Sequence, residues 1–395
     1  MDESLSNVLI IGGGQAGGTA ALRLRQLKYR GRVTLIAAEN ALPYERPCLS
    51  KEYLLGEVSA PTAILTEAHP NERLLRSTLA LGLNLALQTV CTSDGEFHYD
   101  RLLIATGARP RQLQVPGATL EGIHTLRTRE DADLIAAGFD HCASSHKPLL
   151  LAGGGWIGLE IAAAARQRMI DVILLEQGQR LCQRAAPASV AARLRALHEA
   201  QGVDLKFETQ VLAFEGDSRV RKAHLSDGTT IEPGAVVVGI GAEPDLELAR
   251  HAGLLVRQGI VVDAAGRSSS PHVYAAGDAA EIPCPWHARP MRFESWASAN
   301  SQARTAADSI LRDLGRSDLS PLHASETPWF WSGQYGKTLR LAGSPMSATD
   351  STMLRDDHQG FVEGYYSGNR LVGIAALDHA RAFRDLRRDL EPIAA

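Results

Sequence analysis

A chain of 395 residues, 45% of them apolar and 22% charged, is too long for one hydrophobic core and too apolar to stay disordered, so two or three domains are expected. Its net charge of −4 excludes general nucleic-acid affinity, and no apolar run approaches the roughly 18–20 residues that a bilayer demands. The cysteines, Cys48, Cys91, Cys142, Cys182 and Cys284, are odd in number and form no CxxC pair, which leaves no disulfide framework, no metal site and no dithiol to carry electrons. The amino terminus enters a strand without a basic, hydrophobic leader, so a cytoplasmic location is expected.

In chain order, Asn7-Val8-Leu9-Ile10-Ile11 is a short continuous apolar run, as expected of a parallel strand buried on both faces. It meets Gly12-Gly13-Gly14-Gln15-Ala16-Gly17 and an alanine-rich helical segment. In such a fingerprint Gly12 permits the tight strand-to-helix turn, Gly14 lets the backbone approach a pyrophosphate, and Gly17 lets helix and strand pack closely. The next strand, Val33-Thr34-Leu35-Ile36, is followed by Ala37 and Ala38, so the first acid is Glu39. Tyr99 to Ala108 reads as a strand running into the turn at Thr106-Gly107.

The pattern then repeats. Pro148 to Ala152 leads into Gly153-Gly154-Gly155-Trp156-Ile157-Gly158, and Val172-Ile173-Leu174-Leu175 ends directly on Glu176. A carboxylate there can accept both hydrogen bonds of an adenosine ribose diol, and Gln177-Gly178-Gln179 offers no cation for a 2′-phosphate, which favours NADH over NADPH. The competing reading is a solvated strand end. Val236 to Pro244 echoes the Thr-Gly junction, and Val273-Tyr274-Ala275-Ala276-Gly277-Asp278 ends a strand on Gly-Asp. Each junction alone reads equally as an ordinary turn. Their order points to two dinucleotide sites in one chain.

That order resembles the two-dinucleotide-binding-domain flavoproteins of the glutathione-reductase-like class. Within it, Leu42-Pro43-Tyr44-Glu45-Arg46-Pro47-Cys48-Leu49-Ser50-Lys51, Gly155 to Glu160, Phe293-Glu294-Ser295-Trp296 and Pro328-Trp329-Phe330-Trp331-Ser332 are similar to segments of the NADH:ferredoxin reductases that serve bacterial ring-hydroxylating dioxygenases and cytochrome P450 systems. The resemblance implies an α/β fold of two Rossmann-like domains plus an α+β carboxy-terminal domain. FAD segments are expected at 1–108 and 243–318, an NADH domain at 109–242 and the last domain at 319–395. It implies an FAD set of Gly12, Gly14, Ala16, Gly17, Glu39, Arg46, Lys51, Val90, Ala105, Thr106, Gly107, Arg109, Asp278, Ser295 and Trp296. The implied NADH set is Gly153, Gly155, Ile157, Gly158, Glu160, Glu176 and Gly241. Lys51, Glu160 and Trp296 would stand nearest the chemistry, with Lys51 at the reactive flavin edge and paired with Glu160. A surface lysine and a solvated glutamate are the alternative.

Three positions depart from the pattern: Cys48 for a proline, Gly333 for an aspartate and Asp378 for an asparagine. The segment from Lys51 to Tyr99 is also short, which puts flavin retention in doubt. Cys48 motivates a rival, an NADH oxidase or peroxidase cycling this thiol through sulfenic acid, although its flanks match the reductase branch. A non-enzymatic NADH-sensing flavoprotein is a second rival, disfavoured by the ESW and PWFWS motifs. Beyond about Asp308, Thr338 to Ala342, Gly360 to Tyr366 and Arg370 to Ala375 alternate as antiparallel strands do. A basic helix follows. Its Arg384, Arg387 and Arg388, with Arg289 and Arg292, form either a solvated face or a positive rim for an acidic [2Fe-2S] ferredoxin. Monomer and homodimer are both compatible.

Overall fold

The computed structural model describes residues 6–67, 69–287, 289–319 and 326–392. Two parallel five-stranded sheets dominate it. The first has the spatial order Val273–Ala275, Arg101–Ile104, Asn7–Ile11, Arg32–Ile36, Glu72–Leu75. The second runs Val203–Phe207, Val172–Glu176, Leu149–Ala152, Ala235–Val238, Ile123–His124. The central strands are apolar at every position but Asn7, because helices or small sheets cover both faces, which is what a parallel sheet requires.

Each sheet carries one fingerprint helix, Gln15–Gln26 on the first and Trp156–Gln167 on the second. Both are rich in alanine and glycine, and short side chains let the helix lie close to its strand. Gln15–Gln26 also packs lengthwise on Trp296–Asp313, where Ala299, Ala303, Ala306 and Ala307 form a small-residue face in one core. Arg23 and Asp308 pin these two helices at 2.7 Å.

The chain passes between the sheets at two places that bind each other. Ala108–Pro110 pairs antiparallel with Ala242–Pro244, so the two strand-to-glycine junctions form one narrow ribbon. Beyond Asp313 the chain builds an antiparallel sheet in the order Trp329–Gln334, Lys337–Gly343, Arg370–Leu377, Phe361–Ser367, Asp350–Asp356. The helix Ala380–Arg387 closes it through Phe383. The fold is thus α/β, two dinucleotide-type units with an antiparallel carboxy-terminal unit, as the sequence predicts. Trp329–Gln334 and the exposed strand Asp350–Asp356 carry no alternation and were not foreseen. No helix among the described residues is long and apolar enough to cross a membrane.

Candidate active site

The two fingerprints share one geometry. Gly12 and Gly153 both have φ +117°, and a Cβ would fall 2.0 Å from the Ala105 carbonyl oxygen in one and 2.4 Å from that of Gly239 in the other. Only glycine fits there. At Gly17 and Gly158 a Cβ would meet the carbonyl oxygen of Gly12 at 1.9 Å and of Gly153 at 2.2 Å, so these glycines set the helix-to-strand distance and stand behind the wall. Gly14 and Gly155, the residues before the helices, are extended and open: the nearest atoms to a Cβ are Arg46 Nη2 at 3.5 Å and the Gly239 oxygen at 4.0 Å. No side chain caps either helix. Their free N–H groups and positive ends form ready anion sites.

Both cradles open onto one cleft of about 2030 Å³, which also admits the segments around Arg46–Lys51, Thr106–Arg109, Ala276–Asp278, Met291–Trp296 and Pro328–Trp331. Ala16, Ala105, Gly107, Ser295, Ile157 and Gly241 lie on its wall. Thr106 also faces it, and its hydroxyl donates to the Asp245 carbonyl at 2.7 Å. Arg109 is 58% exposed and turns to Asp245 and Glu247 at the rim. Val90 lies elsewhere: it is 0% exposed inside the small sheet that includes Thr89–Thr92, and from that region Thr78, Leu79, Ala80 and Leu81 reach the cleft instead.

Sheet register separates the two acids. Ala152 pairs with Leu175, so Glu176 is the next residue, and its carboxylate accepts from the Gly154 N–H at 2.9 Å and the Gly178 N–H at 2.7 Å. In the first unit Ile11 pairs with Ile36, which makes Ala37 the counterpart of Glu176. Glu39 stands two residues further on. One of its oxygens accepts from Arg46 Nη2 and the other from the Tyr44 hydroxyl, both at 2.6 Å. Burial, opposed by Arg46, pushes the Tyr44 hydroxyl far above its ordinary value, so it remains a donor.

Arg127, which motif reading did not single out, completes this wall. Its backbone oxygen accepts from Arg46 at 2.5 Å and its guanidinium lies 3.4 Å from the Asp278 carboxylate. Burial raises the Asp278 carboxyl above its usual range, with Arg127 opposing. The neighbouring Thr128–Asp131 capping box was the legible signal in this segment. Two buried donors on the wall, Arg46 Nε and Trp296 Nε1, have no partner in the protein. Orphaned donors beside an open phosphate cradle fit an oxygen-rich dinucleotide.

At the centre, between the cradles, Lys51 Nζ donates to Glu160 Oε2 at 2.8 Å. Glu160 is 4% exposed. Ser50 donates to the same oxygen at 2.5 Å and Ser332 to Oε1 at 2.7 Å, so residues of all three units converge on one carboxylate. Neither serine was singled out from the sequence beyond its motif. Aromatic rings continue from here: Trp296 stands edge-on to Trp331 at 5.4 Å, Trp331 stacks on Trp329 at 5.4 Å, and Trp329 meets Phe383.

Cys48 does not belong to the cleft wall, although Pro47 and Leu49 do. Its thiol turns to the Glu45 carbonyl, and burial, with the charge of Glu52, raises its pKa. Of the basic residues, Arg289, Arg384 and Arg388 are exposed. Arg292 is committed to Glu294 at 2.6 Å, and Arg387 lies over the Trp329 ring and donates to the Thr327 oxygen.

The chain matches the pyridine nucleotide-disulphide oxidoreductase family over residues 6–303 and the reductase C-terminal family over residues 329–393. It is 36% identical to rhodocoxin reductase of Rhodococcus erythropolis over 97% of this chain and 89% of that protein. It is 35% identical to the ferredoxin–NAD(+) reductase component of the biphenyl dioxygenase system of Paraburkholderia xenovorans, over 95% and 88%. The covalent putidaredoxin reductase–putidaredoxin complex superposes with a TM-score of 0.89 at 32% identity, covering 97% of this chain and 92% of the other. With both parallel sheets, both cradles and the appended antiparallel unit accounted for, the chain belongs to the pyridine nucleotide-disulphide oxidoreductase family.

Proposed function

We propose that the chain is an FAD-dependent NADH:ferredoxin reductase, the electron-entry component of a dioxygenase or cytochrome P450 system. The observation that carries this is the pair of open glycine cradles facing one cleft, with the Lys51–Glu160 pair between them. In this reading residues 1–108 and 243–318 hold FAD, 109–242 hold NADH and 319–395 cover the cleft, in a protein of the cytoplasm. Bound FAD supplies the chemistry that takes a hydride from NADH and gives up its electrons singly to a one-electron carrier.

The protein's part is placement and charge. Gly14 and Gly155 bring backbone N–H groups to the two pyrophosphates, with Arg46 beside the first. Glu176, already oriented by two backbone donors, takes the NADH ribose and repels a 2′-phosphate. Glu39, held by Arg46 and Tyr44, takes the FAD ribose from two residues beyond the position of Glu176, where Ala37 offers nothing. Asp278 receives the ribityl chain. Lys51 places a positive charge near the reducible edge of the flavin, and Glu160 keeps that charge tolerable in a site nearly closed to water. Trp296 and the rings behind it exclude solvent on the carboxy-terminal side.

The exposed Arg289, Arg384 and Arg388 supply a local positive rim for an acidic [2Fe-2S] ferredoxin, whatever the net charge of the chain. Anaerobic NADH-driven cytochrome c reduction, with and without such a ferredoxin, tests the assignment. Strong dependence on ferredoxin supports it. Rapid flavin reduction with no dependence, together with peroxide-driven NADH consumption, would return the role to Cys48, against which the position of its thiol off the wall already weighs.

A further inference from the structure

Glu160 ends a line of buried side chains that the proposed reaction does not use. Behind Ser332, Gln334 Nε2 lies 2.9 Å from the Ser332 hydroxyl, His198 Nε2 lies 2.8 Å from Gln334 Oε1, and the Tyr335 hydroxyl lies 3.0 Å from His198 Nδ1. Ser332, Gln334 and His198 are all buried, His198 with 0% exposure. His198 projects from the helix Ala188–Ala200, which flanks the second sheet, whereas Ser332 and Gln334 belong to the carboxy-terminal strand Trp329–Gln334.

The chemistry of the groups fixes the direction of every bond. A carboxylate has no proton to give, so Ser332 donates to Glu160. The serine oxygen then accepts from the Gln334 amide, and the amide oxygen is turned to His198. That oxygen can only accept, so the imidazole carries its proton on Nε2 and leaves Nδ1 to accept from Tyr335. Burial pushes the His198 imidazole down to about 4, which keeps it neutral at working pH and the sequence intact. Four donors are thus aligned head to tail on one oxygen of a buried carboxylate, where aligned dipoles reinforce one another. The other oxygen holds Ser50 and Lys51.

We propose that Tyr335, His198, Gln334 and Ser332 are positioning residues, a one-way donor chain through which the carboxy-terminal unit and the second sheet fix the Glu160 carboxylate on Lys51 and thereby set how much positive charge the flavin edge meets. This rests on the reading of Lys51 as the lysine at that edge. With the chain broken, the hold on Glu160 Oε1 weakens while Ser50 and Lys51 still hold Oε2, the carboxylate is less fixed on Lys51, Lys51 is less neutralised, and the reduced flavin, which carries the negative charge, is favoured.

The test is the midpoint potential of the FAD-reconstituted protein, measured by equilibration with a reference dye, for wild type, Gln334→Leu, Ser332→Ala, Lys51→Met and the double variant Lys51→Met/Gln334→Leu. The expected result is a shift of the two-electron equilibrium of about tenfold toward reduced flavin in Gln334→Leu, about 30 mV. Ser332→Ala should move the same way, and it decides the matter should Gln334→Leu fail to fold. Lys51→Met should move the potential down, and in its background the Gln334→Leu effect should vanish. A lowered potential in Lys51→Met with none of the upward shift in Gln334→Leu or Ser332→Ala overturns the donor chain and leaves the site reading standing. An upward shift that persists without Lys51 also overturns it, because the chain would then act by another route. An unchanged potential in Lys51→Met removes the reading of the site and the proposal with it.

Discussion

The second fingerprint allows its fold role and its binding role to be separated with two alanine substitutions two residues apart. In Gly153→Ala the new methyl falls 2.4 Å from the Gly239 carbonyl oxygen, at φ +117°. The positive φ costs about 1–3 kcal/mol, and moving a buried backbone carbonyl adds to that, so a loss of at least about 3 kcal/mol is expected. In Gly155→Ala the nearest atom is 4.0 Å away and the backbone is extended, with φ −84° and ψ −179°, a conformation alanine adopts freely. Its stability should hold or rise by about 0.4–1 kcal/mol through the unfolded chain. The Gly155 methyl instead fills the space where a pyrophosphate must approach the helix end. Losing a charge-assisted hydrogen bond there, worth about 1.5–3 kcal/mol, weakens NADH about 10- to 100-fold. Thermal unfolding without nucleotide and a titration of NADH binding read the two effects separately. Wild-type NADH affinity in Gly155→Ala would refute the fingerprint geometry, and so would a loss of stability equal to that of Gly153→Ala.

Three further outcomes are expected. Gly333→Asp places a carboxylate beside Lys51, since a Cβ at Gly333 lies 3.3 Å from Lys51 Cδ, and it should lower the flavin midpoint potential while leaving NADH affinity within about twofold, read by dye equilibration and titration. Arg384→Glu with Arg388→Glu should cut ferredoxin-dependent cytochrome c reduction several-fold and flatten its salt dependence while sparing ferricyanide reduction. His198 ties stability to pH: the unfolded imidazole protonates below about 6.5 and the folded one only near 4, so stability is complete above about 6.5 and falls as pH drops toward 4. The loss is at most about 3 kcal/mol, and urea unfolding at pH 7 and pH 5 should show it in wild type but not in His198→Gln.

How far the sequence could be read follows from the range of each constraint. The helix-packing glycines were legible because strand, turn and helix are contiguous and the clash that demands glycine is set by the backbone of the same segment: Gly17 against Gly12, Gly158 against Gly153. The two acids already differed in a linear reading, Glu176 ending its strand directly and Glu39 following Ala37 and Ala38. Sheet register makes the difference definite: Ala37 takes the position of Glu176, one residue past the paired strand end, and Glu39 stands two residues further on. Val90 shows the limit of carrying over a single position from a resemblance, since a strand alternates its faces and this side chain turns into the small sheet. The sequence registers the five arginines of the basic rim as equal, whereas Arg292 is ion-paired with Glu294 and Arg387 lies over the Trp329 ring. The line from Tyr335 to Glu160 had no local signal at all. Its members come from two helices of one unit and from a strand and its following turn in another, and only the packing of these elements turns them into a set. Charge placed by tertiary contact is therefore where this chain can differ from relatives that share every glycine, and His198, Gln334 and Gly333 are the positions at which such differences should be sought.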